Sequence, residues 1–383
     1  MKVNDRMGKK VLIIGAGPAG LAAADAASAL GAEVRLCGGE PYAPYWRPRL
    51  THWLSEPVPQ EQLAIKKPEW YVQRGITLVT GKKAVRVDAA GKRVYWADGS
   101  DEAYDSLVLA AGSEPNMPQI PGAEQALALR TFDDAVRLRE AALKAGRAVV
   151  VGGGLLGLET AWELNAAGVP ATLVERNRWL MPRQLDSAGG RYLQAKLEAR
   201  GIVFSIGRDP ATLGELYRGA CVVLAVGVRA NLSFLEGSGI VTGKAVTVDA
   251  LMRTSAPDVY ACGDVAEFMG RCWGLISLAQ EQGKTAGANA AGGSSVYTET
   301  PPSPVLKTGD VSVFSVGDIA GGEGVTAHRE ETDAGYKCLM IKGGVLAGAI
   351  LIGDTKAGMK LKKAVAEKRK VEGDNLQNII ASL

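Results

Sequence analysis

An α/β fold is predicted, in which two strand–turn–helix–strand units are followed by a small α+β region. Glycine-rich turns of the pattern G-x-G-x-x-G begin at Gly15 and again at Gly152, and each follows a short apolar run. Such runs are typical of parallel strands that helices cover on both faces. After the proline-rich linker at 301–304, apolar segments precede two helical segments, which indicates an α+β domain.

The first unit begins with an apolar strand at Val11–Ile14. A helix is predicted from Pro18 to Leu30, because proline suits the first turn of a helix and the glycine at 31 ends it. The alternation on either side of 90–91 predicts an antiparallel hairpin over 84–96. The segment 38–53 contains three prolines, so no regular helix is expected there. Further strands are predicted at Glu33–Cys37, Ile76–Val79 and Leu107–Ala111.

The second unit repeats this order 137 residues later, counted from Gly15 to Gly152. A repeat of this length indicates a duplicated fold rather than a solenoid. Strands are predicted at Arg147–Val151, Ala171–Val174, Ile202–Ser205 and Cys221–Val226, and helices at Leu155–Ala167 and Ser187–Arg200. In the last region, strands are predicted for VSVFSVGD, KCLMIKGG and VLAGAILIG, and amphipathic helices at Lys356–Lys370 and Asn375–Leu383.

Composition excludes several classes of function. The 383 residues carry 44 basic and 41 acidic side chains, a net charge of +3 that gives no support to nucleic-acid binding. Five cysteines, an odd number with no C-x-x-C spacing, argue against a disulfide-rich secreted domain and a cysteine-rich zinc site. A reduced, cytoplasmic compartment is therefore expected. Two histidines are too few for a multi-histidine metal centre.

The start of the sequence allows two interpretations. Lys9 and Lys10 precede an apolar stretch and so imitate a signal peptide. A buried strand is preferred, because glycines with nucleotide-binding spacing follow at once and a second strand comes next. No other apolar run approaches the roughly 20 residues that span a bilayer, so no membrane insertion is expected.

The first glycine turn predicts a dinucleotide site. Its glycines permit close approach of a pyrophosphate, and the helix that follows offers free N–H groups and a partial positive charge. The residues of this turn are Gly15, Ala16, Gly17, Pro18, Ala19 and Gly20. Glu40, which follows the second strand, is the candidate for binding a ribose hydroxyl, and the alternative is a solvated loop glutamate.

The second glycine turn predicts a second dinucleotide site. Glu175 ends the strand after it, and a carboxylate there binds free ribose hydroxyls and repels a 2′-phosphate. NADH is therefore favoured over NADPH, although Arg176 and Arg178 lie close enough in sequence to accept a phosphate. The residues predicted to contact NADH at this turn are Gly152, Gly154, Leu155 and Gly157.

Two dinucleotide sites in one chain suggest FAD in the first and NAD(P)H in the second. A flavin takes a hydride directly from nicotinamide, a reaction that needs alignment more than it needs an acid–base side chain. The scarcity of histidines fits this chemistry and argues against a hydrolase. Asp264 in YACGDVAE is a candidate to bind the flavin polyol, although an aspartate after glycine often only forms a turn.

Four segments, GAGPAG, LAAGSEP, VGGGLLGLE and DVYACGD, occur in the order found in the FAD-dependent pyridine nucleotide-disulfide oxidoreductases, and the chain resembles that family over nearly its whole length. Within the family, PYAPYWRPRL, RQLD and PSPVLK resemble the rubredoxin-reducing branch. The resemblance implies two Rossmann-like domains, with the FAD domain split by the NAD domain. The implied domains are 1–113 with 232–300 for FAD, 114–231 for NAD(P)H and 301–383 for the α+β region.

The resemblance also implies roles for individual residues. Glu159 would orient the nicotinamide amide, and the alternative for it is a helix-dipole contact. Asp264 would bind the flavin ribitol, and the helix that begins at Ile276 would face the flavin pyrimidine ring, where negative charge develops. The remaining implied FAD contacts are Arg47, Ala84, Ala111, Gly112 and Arg130, and Gly227 is a further NADH contact. For the two arginines the alternative is an ordinary surface position.

The implied activity is flavoprotein reduction by NADH, with single electrons passed to rubredoxin or a similar small acidic electron-transfer protein. Where family members carry a redox cysteine, this chain has the cysteine-free segment 45–49, which disfavours disulfide and thiol–peroxide chemistry. Thr51-His52 replaces a Ser-Lys pair of related ferredoxin reductases, and Ala230-Asn231 replaces a Pro-Asn pair. An NADH oxidase, a quinone or ferredoxin reductase, and a redox-sensing flavoprotein of low turnover stay open, as does the oligomeric state.

Overall fold

A computed structural model describes residues 8–371 and 376–382, and the chain divides into two compact units. The first unit consists of Met1–Trp46, Val58–Glu114 and Val228–Glu299. The second consists of Arg47–Pro57, Pro115–Gly227 and Thr300–Leu383. The three-domain division and its boundaries stay a prediction.

Each of the two glycine turns is preceded by a strand and followed by a helix. The strands are β1 Lys10–Ile14, β2 Glu33–Cys37, β3 Ile76–Val79, β4 Ala84–Asp88, β5 Arg93–Trp96, β6 Asp101–Ala103, β7 Ser106–Leu109, β8 Ser113–Pro115, β9 Ala148–Val151, β10 Ala171–Glu175, β11 Val203–Ile206, β12 Cys221–Leu224, β13 Val228–Ala230, β14 Val246–Val248, β15 Val259–Ala261, β16 Ala266–Phe268, β17 Val305–Thr308, β18 Val311–Gly317, β19 Val325–Thr332, β20 Gly335–Lys342 and β21 Val345–Ile352. The helices are α1 Pro18–Ala29, α2 Arg49–Trp53, α3 Pro68–Gln73, α4 Phe132–Ala145, α5 Leu155–Ala166, α6 Ser187–Glu198, α7 Gly214–Tyr217, α8 Ile276–Ala290, α9 Gly358–Ala366 and α10 Leu376–Ser382.

The main sheet of the first unit is parallel, in the order β15-β7-β1-β2-β3. Val11, Leu12 and Ile13 of its central strand are fully buried, as their apolar run predicts. Because β15 pairs with β7, the late segment after Ala261 lies beside the end of β7 at Leu109. Sequence-distant residues at the carboxyl edge of this sheet therefore come together.

Helices α1 and α8 pack against each other through glycine. A Cβ at Gly283 would lie 2.2 Å from the Ala19 carbonyl oxygen, and one at Gly287 would lie 2.0 Å from the Ala23 carbonyl oxygen. The missing side chains let the two backbones approach closely. This contact fixes the position of α8 relative to the glycine turn before α1.

The second unit contains two sheets. The parallel sheet has the order β11-β10-β9-β12, and the antiparallel sheet has the order β17-β18-β21-β20-β19. Asp186 links them, because it caps α6 through Gly189 and also accepts hydrogen bonds from Arg329 at 2.9 Å and from the Tyr336 hydroxyl at 2.8 Å. Helix α9 covers the antiparallel sheet with buried Leu361 and Ala364.

Most predicted elements are present, and the differences have local causes. The helix predicted over Lys356–Lys370 is only Gly358–Ala366, because Lys368 has a positive φ of 50° and Lys370 bridges to Val345. No regular helix was expected in the segment 38–53, but its last residues form the short helix α2. Pro48 directly precedes this helix, at a position where its missing N–H leaves no hydrogen bond unmade. Several elements were not predicted, namely strands β6, β8, β13 to β17 and β19, and helices α3, α4 and α7. Asn375 and Leu383, the predicted ends of the last helix, lie outside the described residues.

Candidate functional site

The first glycine turn, between β1 and α1, leaves no room for side chains at two of its three glycines. Gly15 has a φ of 106°, and a Cβ there would lie 2.1 Å from the Ala110 carbonyl oxygen. A Cβ on Gly20 would lie 1.9 Å from the Gly15 carbonyl oxygen. A Cβ on Gly17 would meet no atom within 4 Å, so that side of the turn is open. The first peptide groups of α1 thus face a surface that an anionic pyrophosphate can approach.

The three other residues of this turn have distinct positions. Pro18 is the first residue of α1, where its missing N–H needs no partner. Ala19 is buried against α8, so it shapes the turn through helix packing. Ala16 borders the next turn, because its Cβ lies 3.0 Å from where a Cβ on Gly38 would be.

Glu40 follows β2 in a loop fixed by backbone hydrogen bonds. Gly38 donates to the Val79 carbonyl at 2.8 Å, and Gly81 donates to the Glu40 carbonyl at 2.7 Å. The Tyr45 hydroxyl donates to Glu40 Oε2 at 2.5 Å. The glutamate predicted to bind a ribose therefore lies at the carboxyl edge of the sheet, with its carboxylate oriented by a tyrosine.

Asp264 follows β15 and lies beside the segment that leaves β7. Cys262 donates its N–H to the Leu109 carbonyl at 3.0 Å, and the Ser113 hydroxyl donates to Asp264 Oδ2 at 2.7 Å. Asp264 lines a shallow pocket together with Trp273, Leu275 and Gln282. A half-buried carboxylate at the rim of a pocket can accept hydrogen bonds from polyol hydroxyls.

The other predicted FAD residues of the first unit lie on three different segments. Ala111 and Gly112 come directly after β7, and Gly112 has a φ of 71° that favours glycine. Helix α8 begins at Ile276, as predicted. Ala84 is the first residue of β4 and pairs with Trp96.

Arg47 and Arg130 belong to the second unit and lie against each other. Arg47 Nη1 donates to the Arg130 carbonyl oxygen at 2.7 Å. Arg130 directly precedes Thr131, which caps α4 in a reciprocal capping box with Asp134. Two residues predicted separately as FAD contacts are thus brought together by the fold.

The second glycine turn repeats the geometry of the first. Gly152 has a φ of 116°, and a Cβ there would lie 2.4 Å from the Ala225 carbonyl oxygen. A Cβ on Gly157 would lie 1.9 Å from the Gly152 carbonyl oxygen, whereas one on Gly154 would meet no atom within 4 Å. Leu155 begins α5 directly after the open glycine. Gly227, with a φ of 98°, follows the neighbouring strand β12 after two intervening residues.

Glu175 ends β10 and lies beneath this turn with only 6% of its surface exposed. Gly153 N–H donates to its Oε2 at 2.7 Å, while Asn177 donates to Oε1 from its backbone N–H at 2.7 Å and from Nδ2 at 2.6 Å. Three donors to one carboxylate fix its orientation. Arg176 and Arg178 are exposed.

Glu159 lies on α5, seven residues after Gly152, and its carboxylate faces α2. The Thr51 hydroxyl donates to Glu159 Oε2 at 3.3 Å. Glu163, one turn further along α5, accepts a hydrogen bond from Ser55 and lies 3.5 Å from His52 Nδ1. Two carboxylates and one imidazole therefore share the contact between α2 and α5.

This arrangement shifts the acidity of Glu159. Burial is the main cause that raises the pKa of the Glu159 carboxyl to about 7; the Thr51 hydrogen bond opposes this shift, and the nearby Glu163 carboxylate adds a smaller contribution to it. Near neutral pH the group is thus a mixture of carboxylic acid and carboxylate. In the acid form it can donate a hydrogen bond to an amide oxygen, and in the ionised form it can accept one from an amide nitrogen.

Several polar residues that act on the predicted site were missed by sequence reasoning. Tyr45, Thr51 and Ser113 each donate a hydroxyl to a predicted carboxylate, and nothing in their spacing indicated those partners. The contact of Asn177 with Glu175 could have been predicted from the sequence, because an asparagine two positions after the end of a strand commonly makes local hydrogen bonds.

Within the described residues, no group of three or more histidine, cysteine or acidic side chains is arranged to hold a metal ion. Over the same 8–371 and 376–382 ranges, no helix combines the length and apolarity needed to cross a bilayer.

Comparison with known proteins decides the family. A family model described as pyridine nucleotide-disulphide oxidoreductase matches residues 9–286, and one described as rubredoxin NAD+ reductase C-terminal domain matches residues 302–369. The first match spans most of the chain. The chain belongs to the pyridine nucleotide-disulphide oxidoreductases. Its fold is accordingly α/β, with two Rossmann-like regions, the FAD-binding one interrupted by the NAD-binding one, and an α+β region at the end.

Individual relatives agree with this assignment. The chain is 37% identical over 374 residues to NADH-rubredoxin oxidoreductase from Clostridium acetobutylicum, covering 98% of each chain. It is also similar to the crystal structure of NADH:rubredoxin oxidoreductase from the same organism, with a TM-score of 0.90, 36% identity and coverage of 98% and 100%. It is 32% identical to the ferredoxin–NAD(+) reductase component of the p-cumate 2,3-dioxygenase system of Pseudomonas putida, covering 85% of each.

Membership makes the chain an oxidoreductase that uses FAD and NADH. The residues of the first unit fit FAD. The open side of Gly17 leaves space for a pyrophosphate, the Asp264 carboxylate at the pocket rim suits a polyol, and the Glu40 carboxylate suits a ribose. The open side of Gly154 offers a matching place for the pyrophosphate of NADH in the second unit.

Proposed function

We propose that the chain oxidises NADH and passes the electrons one at a time to rubredoxin or a similar small acidic electron-transfer protein in the cytoplasm. The observation that carries this proposal is full-length similarity to a rubredoxin oxidoreductase, including the last region at 302–369. That region is a five-stranded antiparallel sheet covered by α9. FAD, when bound, accepts a hydride from NADH and releases the two electrons singly.

The chain's carboxylates are proposed to bind and orient the two dinucleotides. Glu175 binds the adenosine ribose of NADH and repels a 2′-phosphate, and three hydrogen bonds hold its carboxylate in place for this role. Glu40 binds the adenosine ribose of FAD, and Asp264 binds its ribitol. Glu159 holds the nicotinamide amide and so aligns the ring for hydride transfer.

The glycine turns and the two arginines complete the proposed binding residues. The turns at 15–20 and 152–157 supply N–H groups to the pyrophosphates. Arg47, Arg130 and the N-terminus of α8 at Ile276 supply positive charge toward FAD. The proposed backbone contacts are Ala84, Ala111 and Gly112 for FAD, and Gly227 for NADH.

The cysteines support release to a protein acceptor rather than disulfide chemistry. All five are free; Cys37, Cys221, Cys262 and Cys338 are buried and Cys272 is exposed. Burial raises the pKa of the Cys37 thiol to about 11, which suppresses its thiolate form at neutral pH. The cysteine-free segment 45–49 offers no redox thiol where disulfide-reducing relatives carry one.

Exposed lysines of the last region suit an acidic partner. Lys356, Lys363, Lys368 and Lys370 are exposed on or next to α9, and Glu367 is the acidic residue among them. Such a surface attracts an acidic protein and speeds its association at low ionic strength. The helix also has a structural function, since its apolar face packs on the sheet.

A steady-state acceptor screen tests the proposal. The FAD-loaded protein is supplied with NADH and, in separate assays, with rubredoxin, a plant-type ferredoxin, a quinone and air-saturated buffer. Rubredoxin is expected to give the highest kcat/KM. A higher value for oxygen or quinone would reassign the chain as an oxidase or quinone reductase, and turnover that is negligible with every acceptor would favour a redox-sensing flavoprotein.

A further inference from the structure

The turn that carries Asp264 is supported by a glutamine from α8. Gly263 has a φ of 75°, and its N–H donates to Gln282 Oε1 at 2.8 Å. Gln282 is only 5% exposed, and it lines the same pocket as Asp264. A buried amide oxygen that accepts from the N–H of this left-handed glycine fixes the peptide group in one orientation.

The backbone that presents Gln282 is packed closely on α1. The next residue, Gly283, is in such close contact with α1 that a Cβ there would lie 2.2 Å from the Ala19 carbonyl oxygen. The absence of a side chain at Gly283 therefore allows this close packing of the two helix backbones. The same helix contact that bounds the first glycine turn thus sets the position of Gln282, and through it the peptide before Asp264.

The carboxylate of Asp264 is fixed from the opposite side by Ser113. The Ser113 hydroxyl, in a residue that is 9% exposed, donates to Oδ2 at 2.7 Å. Ser113 begins β8, directly after Gly112, whose φ of 71° turns the chain out of β7. Asp264 is therefore held at its backbone by one element and at its side chain by another.

We propose that Ser113 and Gln282 are positioning residues for the FAD site, which hold the Asp264 carboxylate in its polyol-accepting orientation before FAD binds. A preorganised acceptor binds more tightly because its side chain is already ordered. Both residues act through Asp264, so neither requires a contact of its own with FAD. The inference rests on FAD as the cofactor and is independent of which protein accepts the electrons.

The test is FAD affinity of the apoprotein, measured by quenching of flavin fluorescence. Ser113→Ala and Gln282→Met are expected to raise Kd for FAD about 5- to 20-fold, the range for a lost hydrogen bond to a charged or buried group. Ser113→Thr, which keeps the hydroxyl, and Gln282→Glu, which keeps an acceptor, are expected to restore Kd to within about threefold. Ser106→Ala is the matched control, since Ser106 is also buried and lies at the far end of β7.

A double-mutant cycle separates positioning from general structure. If Ser113 acts through Asp264, Ser113→Ala raises Kd in the wild-type background and has no further effect in Asp264→Ala. A Kd within twofold of wild type for Ser113→Ala, or an equal loss in both backgrounds, would overturn the proposal for Ser113. If Gln282→Met does not fold, Gln282→Glu is used in the same cycle, and a loss that is equal in the wild-type and Asp264→Ala backgrounds contradicts a role that acts through Asp264. An inactive rubredoxin assay with normal results in this cycle would count against the proposed acceptor alone.

Discussion

Glu159 and Glu163 lie one turn apart on α5, and each accepts a hydrogen bond from a hydroxyl on the segment 47–57, Thr51 for Glu159 and Ser55 for Glu163. Burial, together with the second carboxylate, raises the pKa of Glu159 to about 7. A residue proposed to orient nicotinamide therefore titrates in the range where the enzyme is expected to work. Burial of the Glu159 side chain and the Glu163 carboxylate, four positions away, keep this carboxyl partly protonated, while the hydrogen bond from the distant Thr51 opposes that effect.

The first prediction concerns stability against pH. The folded pKa of Glu159 lies above the ordinary value of 4.5, so the folded protein binds more protons than the unfolded chain and its stability falls as pH rises from about 4.5 to 7. Glu159→Gln removes this loss. The free energy of unfolding of the variant, taken relative to that of wild type, should therefore increase by about 1–3 kcal/mol as the pH rises from 4.5 to 8.

Thermal unfolding of the FAD-loaded protein at pH 5 and pH 8 measures this gain. Exposed Glu236→Gln is the control, and its difference from wild type should not change with pH. A Glu159→Gln difference that is equally pH-independent would contradict a raised pKa.

The second prediction concerns coenzyme choice. Glu175→Ala should lower kcat/KM for NADH about 10- to 100-fold, since it removes a charged ribose partner, and should raise it for NADPH, since the repulsion of the 2′-phosphate is lost. Most of the loss should be in KM. Initial rates with both coenzymes measure the ratio, with Arg176→Ala as a neighbouring control. A wild-type preference for NADPH, or a ratio unchanged by Glu175→Ala, would show that the arginines at 176 and 178 determine the choice.

The third prediction concerns the α1–α8 contact. In an exposed helix, Gly→Ala stabilises by about 1 kcal/mol. At Gly287, however, the new Cβ would lie 2.0 Å from the Ala23 carbonyl oxygen and 2.6 Å from the Ala23 Cα, both backbone atoms that cannot move aside alone. Gly287→Ala should therefore destabilise the protein by about 1–3 kcal/mol and weaken FAD retention.

Urea unfolding and flavin content of the purified protein measure the two effects. Lys284→Ala, on an exposed position of the same helix, serves as control. A Gly287→Ala protein as stable as wild type would mean that the helices separate at little cost, and the contact would not fix the site.

The fourth prediction concerns the acceptor. Lys360 already donates to the Ile380 carbonyl oxygen at 2.7 Å, and Lys363 lies 3.8 Å from Glu367, so the informative substitutions are elsewhere. Replacing Lys356, Lys368 and Lys370 by Glu should lower kcat/KM for rubredoxin about tenfold or more at low salt and flatten its salt dependence. Reduction of a small uncharged dye should not change.

A charge-matched control distinguishes this surface from net charge. Lys144, Lys244 and Lys284 are also exposed, and replacing them by Glu changes the net charge equally. Equal losses in the two triple variants, or no loss at low salt in the first, would place rubredoxin docking elsewhere.

The sequence predicted most of the secondary structure because its strongest signals are local. The glycine spacing at Gly15 and Gly152 indicates positions where the backbone leaves no room for a side chain. In the structure, a Cβ at either position would clash with a neighbouring carbonyl oxygen. Apolar runs such as Val11–Ile14 report burial in the same direct way. Strand β19 was missed because its residues are at most half-buried and several are charged, a composition that is also typical of a loop.

The hydrogen-bond partners of the site could not be predicted, because they are non-local. Ser113 and Asp264 are 151 positions apart, and Thr51 and Glu159 are 108 positions apart. Their contacts depend on the order of strands and the packing of helices rather than on spacing. The resemblance to a family named candidate residues such as Arg47 and Arg130, but the hydrogen bond between them became visible only in the folded chain.

Stopped-flow reoxidation is the most direct test of electron delivery to rubredoxin. The FAD-loaded protein is reduced with one equivalent of NADH under argon and mixed with either oxidised rubredoxin or air-saturated buffer. Bleaching of rubredoxin that is complete within the turnover time, with reoxidation by air at least tenfold slower, is the predicted result. Reoxidation by air as fast as by rubredoxin, or rubredoxin that stays oxidised, would contradict it.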